Sequence, residues 1–404
     1  MPNPSLLIVL VTVMINMMGV GLAWPILPLL VKDLTGGSVS QVATIYGAAA
    51  IIFSVMQFIV APIMGILSDR FGRKPVMLIA LTALGFDNIL LALAPTIGWV
   101  FIGRMIGGAF ASSMAIANAY VADTTEIENR AKGFGMVGAA FGIGFVLGPL
   151  IGGVLGEIDL RYPFWFAAFL SFANVTFGWF LLKETLPKEK RRKRSFRQSN
   201  PIASIRWIFT TTGLAGIGLI SLVATTTQRG MESLWVIFTQ HQYGWGMRDA
   251  GISLAVVGIS YIVVQGLLAG KIIPWLGETR TIVFGCLLSS GMFFLLAFNT
   301  WGLLSYMGIV PHVLGWALAS TAIQTLASKR VDDTDQGYLQ GGLSGISGFA
   351  AIIGPLLSNS SFAWFTRANS AIIFPGAYFL LGAVVLILTS ILAAKITMAT
   401  QAKA

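Results

Sequence analysis

Apolar runs of about 20 residues recur along the whole 404-residue chain, broken only by short turns where the charges collect. A run of that length crosses the hydrocarbon core of a bilayer as one helix. Lipid offers backbone N–H and C=O groups no partners, so each segment must satisfy them internally. The alternation that would mark the strands of a membrane barrel is missing. Apolar residues make up 56% of the chain and charged residues 10%, too little charge to cover a soluble body of this size. The first apolar run, Leu6 to Leu30, has no basic start and no small-residue cleavage site. It reads as the first span, not as a signal peptide.

Counting runs predicts twelve spans, near 5–31, 42–64, 75–95, 98–121, 134–156, 163–182, 211–240, 249–271, 280–299, 302–327, 338–361 and 371–394. Of the 26 lysines and arginines, 20 fall on the side of Arg70, which places both termini and the central loop in the cytoplasm. Lys32, Arg161, Arg248 and Arg367 fall on the other side, and Arg104 and Arg229 lie within spans. The net charge of +10 therefore reports membrane orientation, and no nucleic-acid partner is expected. The stretch 183–207, with the basic run Lys188 to Arg194, reads as a cytoplasmic linker that meets anionic headgroups. It divides the chain into bundles 1–182 and 208–404.

The halves carry a weak repeat. Gly65 and Gly72 recur as Gly270 and Gly277, and Gly148-Pro149 recurs as Gly354-Pro355. Two landmarks at nearly one offset point to a duplicated six-helix unit. Pro274 stands where the first copy has Asp69. The expected fold is all-α and integral to the membrane, with twelve transmembrane helices in two pseudo-symmetric six-helix bundles. The lone Cys286 lies in an apolar run and reads as a buried thiol. Two distant histidines and one cysteine supply no nucleophile, base or metal cluster, so neither an enzyme nor a cofactor is expected. No phosphate-binding loop of the G-x-x-x-x-G-K-[ST] type is present.

The turn Gly65-Ile66-Leu67-Ser68-Asp69-Arg70-Phe71-Gly72-Arg73-Lys74 follows the second span. Gly144-x-x-x-Gly148-Pro149-x-x-Gly152-Gly153 lies in the fifth, and Arg104 precedes Gly107-Gly108 in the fourth. These stretches resemble signatures of the major facilitator superfamily and of its drug–proton antiporters. Gly19 to Pro28, Asp123-Thr124-Thr125, Leu234 to Thr239 and Tyr243-Gly244-Trp245 resemble the tetracycline efflux group. The resemblance implies alternating access to a central cavity and proton-coupled export of an amphipathic organic compound. It also implies a monomer in the inner membrane of a bacterium, with protons, a small organic substrate and the lipid bilayer as partners. Asn16 stands where that group has an acid in span one, Ser289 where it has one in span nine, and Asp87 matches the acid of span three.

A charge at mid-bilayer costs roughly 2.5–3.5 kcal/mol on insertion scales, so each one calls for a partner or a purpose. Asp87 and Arg104 lie at comparable depth on antiparallel spans and are expected to interact. Arg229 and Glu232 share a helix face three residues apart. Glu232 is a protonatable group that could stand in for the missing acids. His312, of the residue type that titrates near physiological pH in water, joins them as a coupling candidate. Asn16, Gln57, Arg104, Gln228, Arg229 and Trp235 are the substrate-binding candidates. Asp69, Arg70, Arg73, Lys74, Asp123, Gly148 and Pro149 are the gating candidates. Asp69 is expected at a helix start, and the cations of the turn against Asp123, Glu126 or Glu128. The rival readings are a transporter of an anionic metabolite or siderophore held by Arg104 and Arg229, and a non-transporting receptor or scaffold.

Overall fold

The computed structural model describes residues 4–111, 113–124, 130–186, 191, 201–332 and 335–401. The chain turns its apolar runs into helices. In order these are α1 (Pro4–Ala23), α2 (Leu27–Thr35), α3 (Val39–Phe71), α4 (Arg73–Leu93), α5 (Ile97–Phe110), α6 (Ser113–Thr124), α7 (Arg130–Ile158) and α8 (Tyr162–Leu181). Then come α9 (Pro201–Thr210), α10 (Ala215–Tyr243), α11 (Met247–Val263), α12 (Ala269–Leu276), α13 (Glu278–Phe298), α14 (Gly302–Ser328), α15 (Gln336–Phe365) and α16 (Ala377–Gln401). Among the described residues ten segments are long and apolar enough to cross a membrane. Helix α10 and the pair α5–α6 complete twelve spans.

Several spans are not the single rods that the apolar runs suggested. The first breaks at Trp24–Ile26 into α1 and α2, because Pro25 and Pro28 cannot donate to the helix ladder. The fourth divides after Phe110. The eighth passes through a π-helical segment, Val264–Leu268, between α11 and α12. The twelfth begins at Ala377 and not near 371, since Pro375 pushes the residue before it out of helical geometry. Residues 201–207, expected in the linker, belong to α9, whose Ile208 is buried against Gly342 of α15.

The chain divides into two compact units. The first comprises Met1–Gly36, Ile52–Ser199 and Gly246–Gly258, and the second Gly37–Ile51, Asn200–Trp245 and Ile259–Ala404. In the first unit α1 packs on α7 and α8, and α4 on α5 and α8. In the second α10 packs on α15 and α16, and α13 on α14 and α16. Span one pairs with five and six, span three with four and six, and the same scheme recurs in spans seven to twelve. The core of the first unit gathers Val9, Val13, Met77, Leu81, Tyr120 and Val137, and that of the second Ile217, Ile282, Cys286, Leu318, Leu339 and Ile346.

Glycine permits a close approach where α1 crosses α7. A methyl on Gly148 would stand 2.5 Å from the Met18 carbonyl oxygen, and one on Gly21 would stand 2.7 Å from Pro149 Cδ. Gly152 faces the Leu22 carbonyl in the same seam. The first part of α3, in the second unit, is tied to α15: Ser40 Oγ donates to the Ala363 carbonyl at 2.7 Å. Arg161 closes the C-terminal end of α4 by donating to the carbonyls of Ala92 and Ala94 at 2.8 and 3.2 Å.

Candidate functional site

Among the described residues the predicted site groups gather in three clusters, two in the first unit and one in the second. The deepest is a pair on the α4–α5 hairpin. Arg104 Nη2 donates to both oxygens of Asp87, at 2.9 and 2.7 Å. Asp87 is 3% exposed. Two glycines of α5 make room for it: a methyl on Gly103 would sit 2.9 Å from Asp87 Oδ1, and one on Gly107 would strike Oδ2. The guanidinium lies 5.4 Å from the centre of the Phe53 ring of α3, a cation–π contact. Its buried Nε has no hydrogen-bond partner among the described residues. The expected Asp87–Arg104 interaction is thus present as an ion pair in which one guanidinium nitrogen, Nη2, is shared by both carboxylate oxygens.

The second cluster closes the end of α3 and the start of α4, and Arg73 is its hub. Arg73 Nη1 lies 2.7 Å from Asp69 Oδ1 and donates to Ser68 Oγ at 2.7 Å. Arg73 Nε donates to Asp123 Oδ2 of α6 at 3.0 Å. Beside the Asp69–Arg73 pair, the carboxylate at the first N–H groups of α4 is that of Glu184. The backbone N–H groups of Arg73 and Lys74 donate to its two oxygens at 2.9 and 3.3 Å. The chain can turn there because Gly72 has φ +109°, and any side chain at that position would strike Glu184. Lys74 Nζ donates to the Trp179 carbonyl of α8 at 2.6 Å, and Arg70 is exposed over the Phe71 ring. Glu126, Glu128 and the basic run 188–194, apart from Arg191, lie outside the described residues.

The counterpart turn of the second unit keeps the geometry and reverses the charges. Gly277 has φ +78°, and Glu278 at the start of α13 pairs with Lys329 beyond α14. The first copy pairs Arg73 with Asp123 at the matching positions.

The third cluster sits on α10. Arg229 Nη1 donates to Glu232 Oε2 at 2.9 Å, and Arg229 Nη2 to Ser347 Oγ of α15 at 3.4 Å. Gln228 Nε2 donates to Glu232 Oε1 at 3.3 Å. Gln228 Oε1 lies 3.1 Å from Nε2 of His312, which α14 buries to 3% exposure. Four of the predicted residues, Gln228, Arg229, Glu232 and His312, therefore form one connected network. Asn359 of α15 lies nearby and donates to Ser233 Oγ at 2.9 Å.

Asn16 is buried on α1, and Gln57 is half-buried on α3. Trp235 is 4% exposed and packs edge-on against Trp245, which stacks on Tyr306. Gly148 and Pro149 lie in the α1–α7 seam, with Gly251 of α11 against the Pro149 carbonyl. Glu184, Ser347, Phe53 and Asn359 were not singled out in the sequence. Glu184 is an ordinary acid just after a span, and its partners Arg73 and Lys74 lie 111 and 110 residues earlier.

The family model described as Major Facilitator Superfamily matches residues 9–355. The chain is 36% identical over 361 residues to the class C tetracycline resistance protein of Escherichia coli, an alignment covering 89% of this chain and 90% of that one. It is 30% identical over 365 residues to multidrug resistance protein 1 of Bacillus subtilis, covering 89% and 90%. Among solved structures the nucleoside transporter NupG superposes with a TM-score of 0.79 at 14% identity, covering 97% of this chain and 99% of that one. The human organic anion transporter TETRAN superposes with a TM-score of 0.71 at 22% identity, covering 97% and 100%. A twelve-span helical fold with this match along most of its length is that of a multi-pass membrane transporter of small molecules, not an enzyme, and the chain belongs to the major facilitator superfamily.

Proposed function

We propose that the protein exports an amphipathic organic compound in exchange for protons, its binding site opening alternately to the two faces of the membrane. One observation carries this reading: a chain 36% identical to a tetracycline resistance protein keeps two carboxylates, Asp87 and Glu232, inside its spans, each on an arginine. A buried ion pair is costly to desolvate and adds little stability over an apolar pair, so its retention fits a role in the transport cycle. Protonation of either carboxylate from outside removes a negative charge and releases its arginine. That changes the affinity for cargo and favours its departure, and return of the proton to the cytoplasm resets the cycle.

In this reading Asp87, Arg104, Glu232 and His312 handle the proton. Asn16, Gln57, Arg104, Gln228, Arg229 and Trp235 contact the cargo. The Arg73 hub with Asp69, Arg70, Lys74 and Asp123, together with the Gly148–Pro149 seam, biases the equilibrium between access states. The bundles are those read from the sequence, 1–182 and 208–404, with α9 (Pro201–Thr210) packed on α10 and α15 of the second. The protein works as a monomer in a bacterial inner membrane with both termini in the cytoplasm. The skew of Lys and Arg supports that orientation.

A second reading, an anionic cargo, draws on the buried unpartnered Nε of Arg104 and on Arg229, whose side chain is 41% exposed. Transport in proteoliposomes under an imposed pH gradient, with compounds chosen by thermal shift, separates the two. The proposal expects a lipophilic cationic drug to move against the proton gradient. Counterflow of an organic acid, with no movement of the drug, favours the second reading.

A further inference from the structure

The network on α10 has a property that its members do not have singly. Gln228 is 8% exposed and lies between Glu232 and His312. An ionised carboxylate only accepts hydrogen bonds, so the Gln228 amide must turn its NH2 toward Glu232. Its carbonyl oxygen then faces His312 at 3.1 Å, and the imidazole must carry its proton on Nε2 to donate there. That leaves Nδ1 a bare acceptor, buried and without a partner among the described residues.

We infer that Gln228 is a positioning residue that ties the tautomer of His312 to the protonation state of Glu232. The inference rests on the reading of Glu232 as a group that takes up a proton. When Glu232 gains that proton, its O–H becomes a donor toward Gln228. The amide turns over and presents its oxygen to Glu232 and its NH2 to His312. His312 Nε2 must now accept. When the site opens to solvent in the transport cycle, the ring gives up its Nε2 proton to water and takes one from water at Nδ1, remaining neutral. Nδ1 changes from an acceptor to a donor. One proton at Glu232 thus inverts the hydrogen-bonding sense of a site on another helix, with no charge carried between them.

The groups around Glu232 are few. Its own helix brings Arg229 and Gln228. Helix α14 brings His312, and α15 brings Ser347 through Arg229. Tyr261 of α11 and Tyr378 of α16 lie within electrostatic reach of it. Tyr378 donates its own proton to the Thr227 carbonyl at 2.8 Å. Helix α9 packs on α10 and α15, with Ser204, Trp207, Ile208 and Phe209 among the residues that meet them.

The chain has two histidines, so histidine labelled with nitrogen-15 gives a spectrum of two imidazoles, and His241→Asn leaves His312 alone. The protein is measured in lipid nanodiscs across pH, with the carboxyl carbon of labelled glutamate reporting Glu232. The expected result is an Nε2–H ring at high pH that becomes an Nδ1–H ring as Glu232 protonates. In Glu232→Gln the His312 tautomer should no longer change over that range. In Gln228→Leu, Glu232 should still titrate while the tautomer stops following it. A His312 tautomer that stays constant while Glu232 titrates overturns the inference, and so does a doubly protonated ring or a switch that survives in both variants. Each of these three failures leaves proton-driven export standing. A tautomer switch in a protein that shows no proton-driven transport sinks the functional reading alone.

Discussion

Substituting Gly148 by alanine tests the seam between α1 and α7. The added methyl would stand 2.5 Å from the Met18 carbonyl oxygen and 2.8 and 3.0 Å from Gly21 Cα and C. All three are backbone atoms of α1, so no side chain can swing away. The oxygen contact falls about 1 Å short of van der Waals separation, and relieving it means moving α1 bodily. Gly144 and Gly152 hold the same two helices together one turn to either side, against Met14 and Leu22. Overpacking of this kind costs about 1–3 kcal/mol, and the rigid surroundings place Gly148→Ala near the upper end. Alanine also gains up to about 1 kcal/mol of helix propensity over glycine, which leaves a net loss of about 2 kcal/mol. Gly138 provides the control on the same helix, since nothing lies within 4 Å of the methyl it would gain. Gly138→Ala should be neutral or raise stability by up to about 1 kcal/mol. Thermal unfolding of the purified variants in one detergent, followed by tryptophan fluorescence, should place Gly148→Ala clearly below the parent and Gly138→Ala at or above it. Equal midpoints for the two variants would refute the reasoning.

Asp87→Asn leaves Arg104 buried beside a neutral amide and should cost about 3–5 kcal/mol of stability. Adding Arg104→Gln should restore most of that without restoring proton-dependent transport, a pattern read from unfolding midpoints and vesicle uptake together. Gly72→Ala and Glu184→Gln should each cost about 1–2 kcal/mol, and the double variant little more than the worse single one, because both act on the carboxylate at the start of α4. Cys286 is 2% exposed, so a maleimide should label the native protein slowly and the unfolded protein at once.

The layout was legible because lipid imposes it: an apolar run of spanning length can only be a helix, and the cations mark the turns. The Arg229–Glu232 pair could be read from spacing on one helix face, and the Asp87–Arg104 pair from depth on adjacent antiparallel spans. Arg73 with Asp123 was within reach because both lie at the same end of the bundle. Glu184 was hidden, since a helix start attracts any nearby carboxylate and the sequence holds one, Asp69, much closer. The link from Gln228 to His312 was hidden for another reason. It joins α10 to α14 across 84 residues, and an amide carries no periodicity that would betray its partner. The break in span one comes from Pro25 and Pro28, which a count of apolar residues passes over.

The most direct test of the central claim is proton movement itself. Parent protein is reconstituted with a pH-sensitive dye inside the vesicles, and an inward proton gradient is opposed by an added lipophilic drug. The drug should change proton flux, the flux should scale with drug transport, and Asp87→Asn and Glu232→Gln should each sever that scaling while the folded protein still binds the drug. Drug transport that proceeds at the same rate with and without a proton gradient, and moves no protons, would contradict the claim.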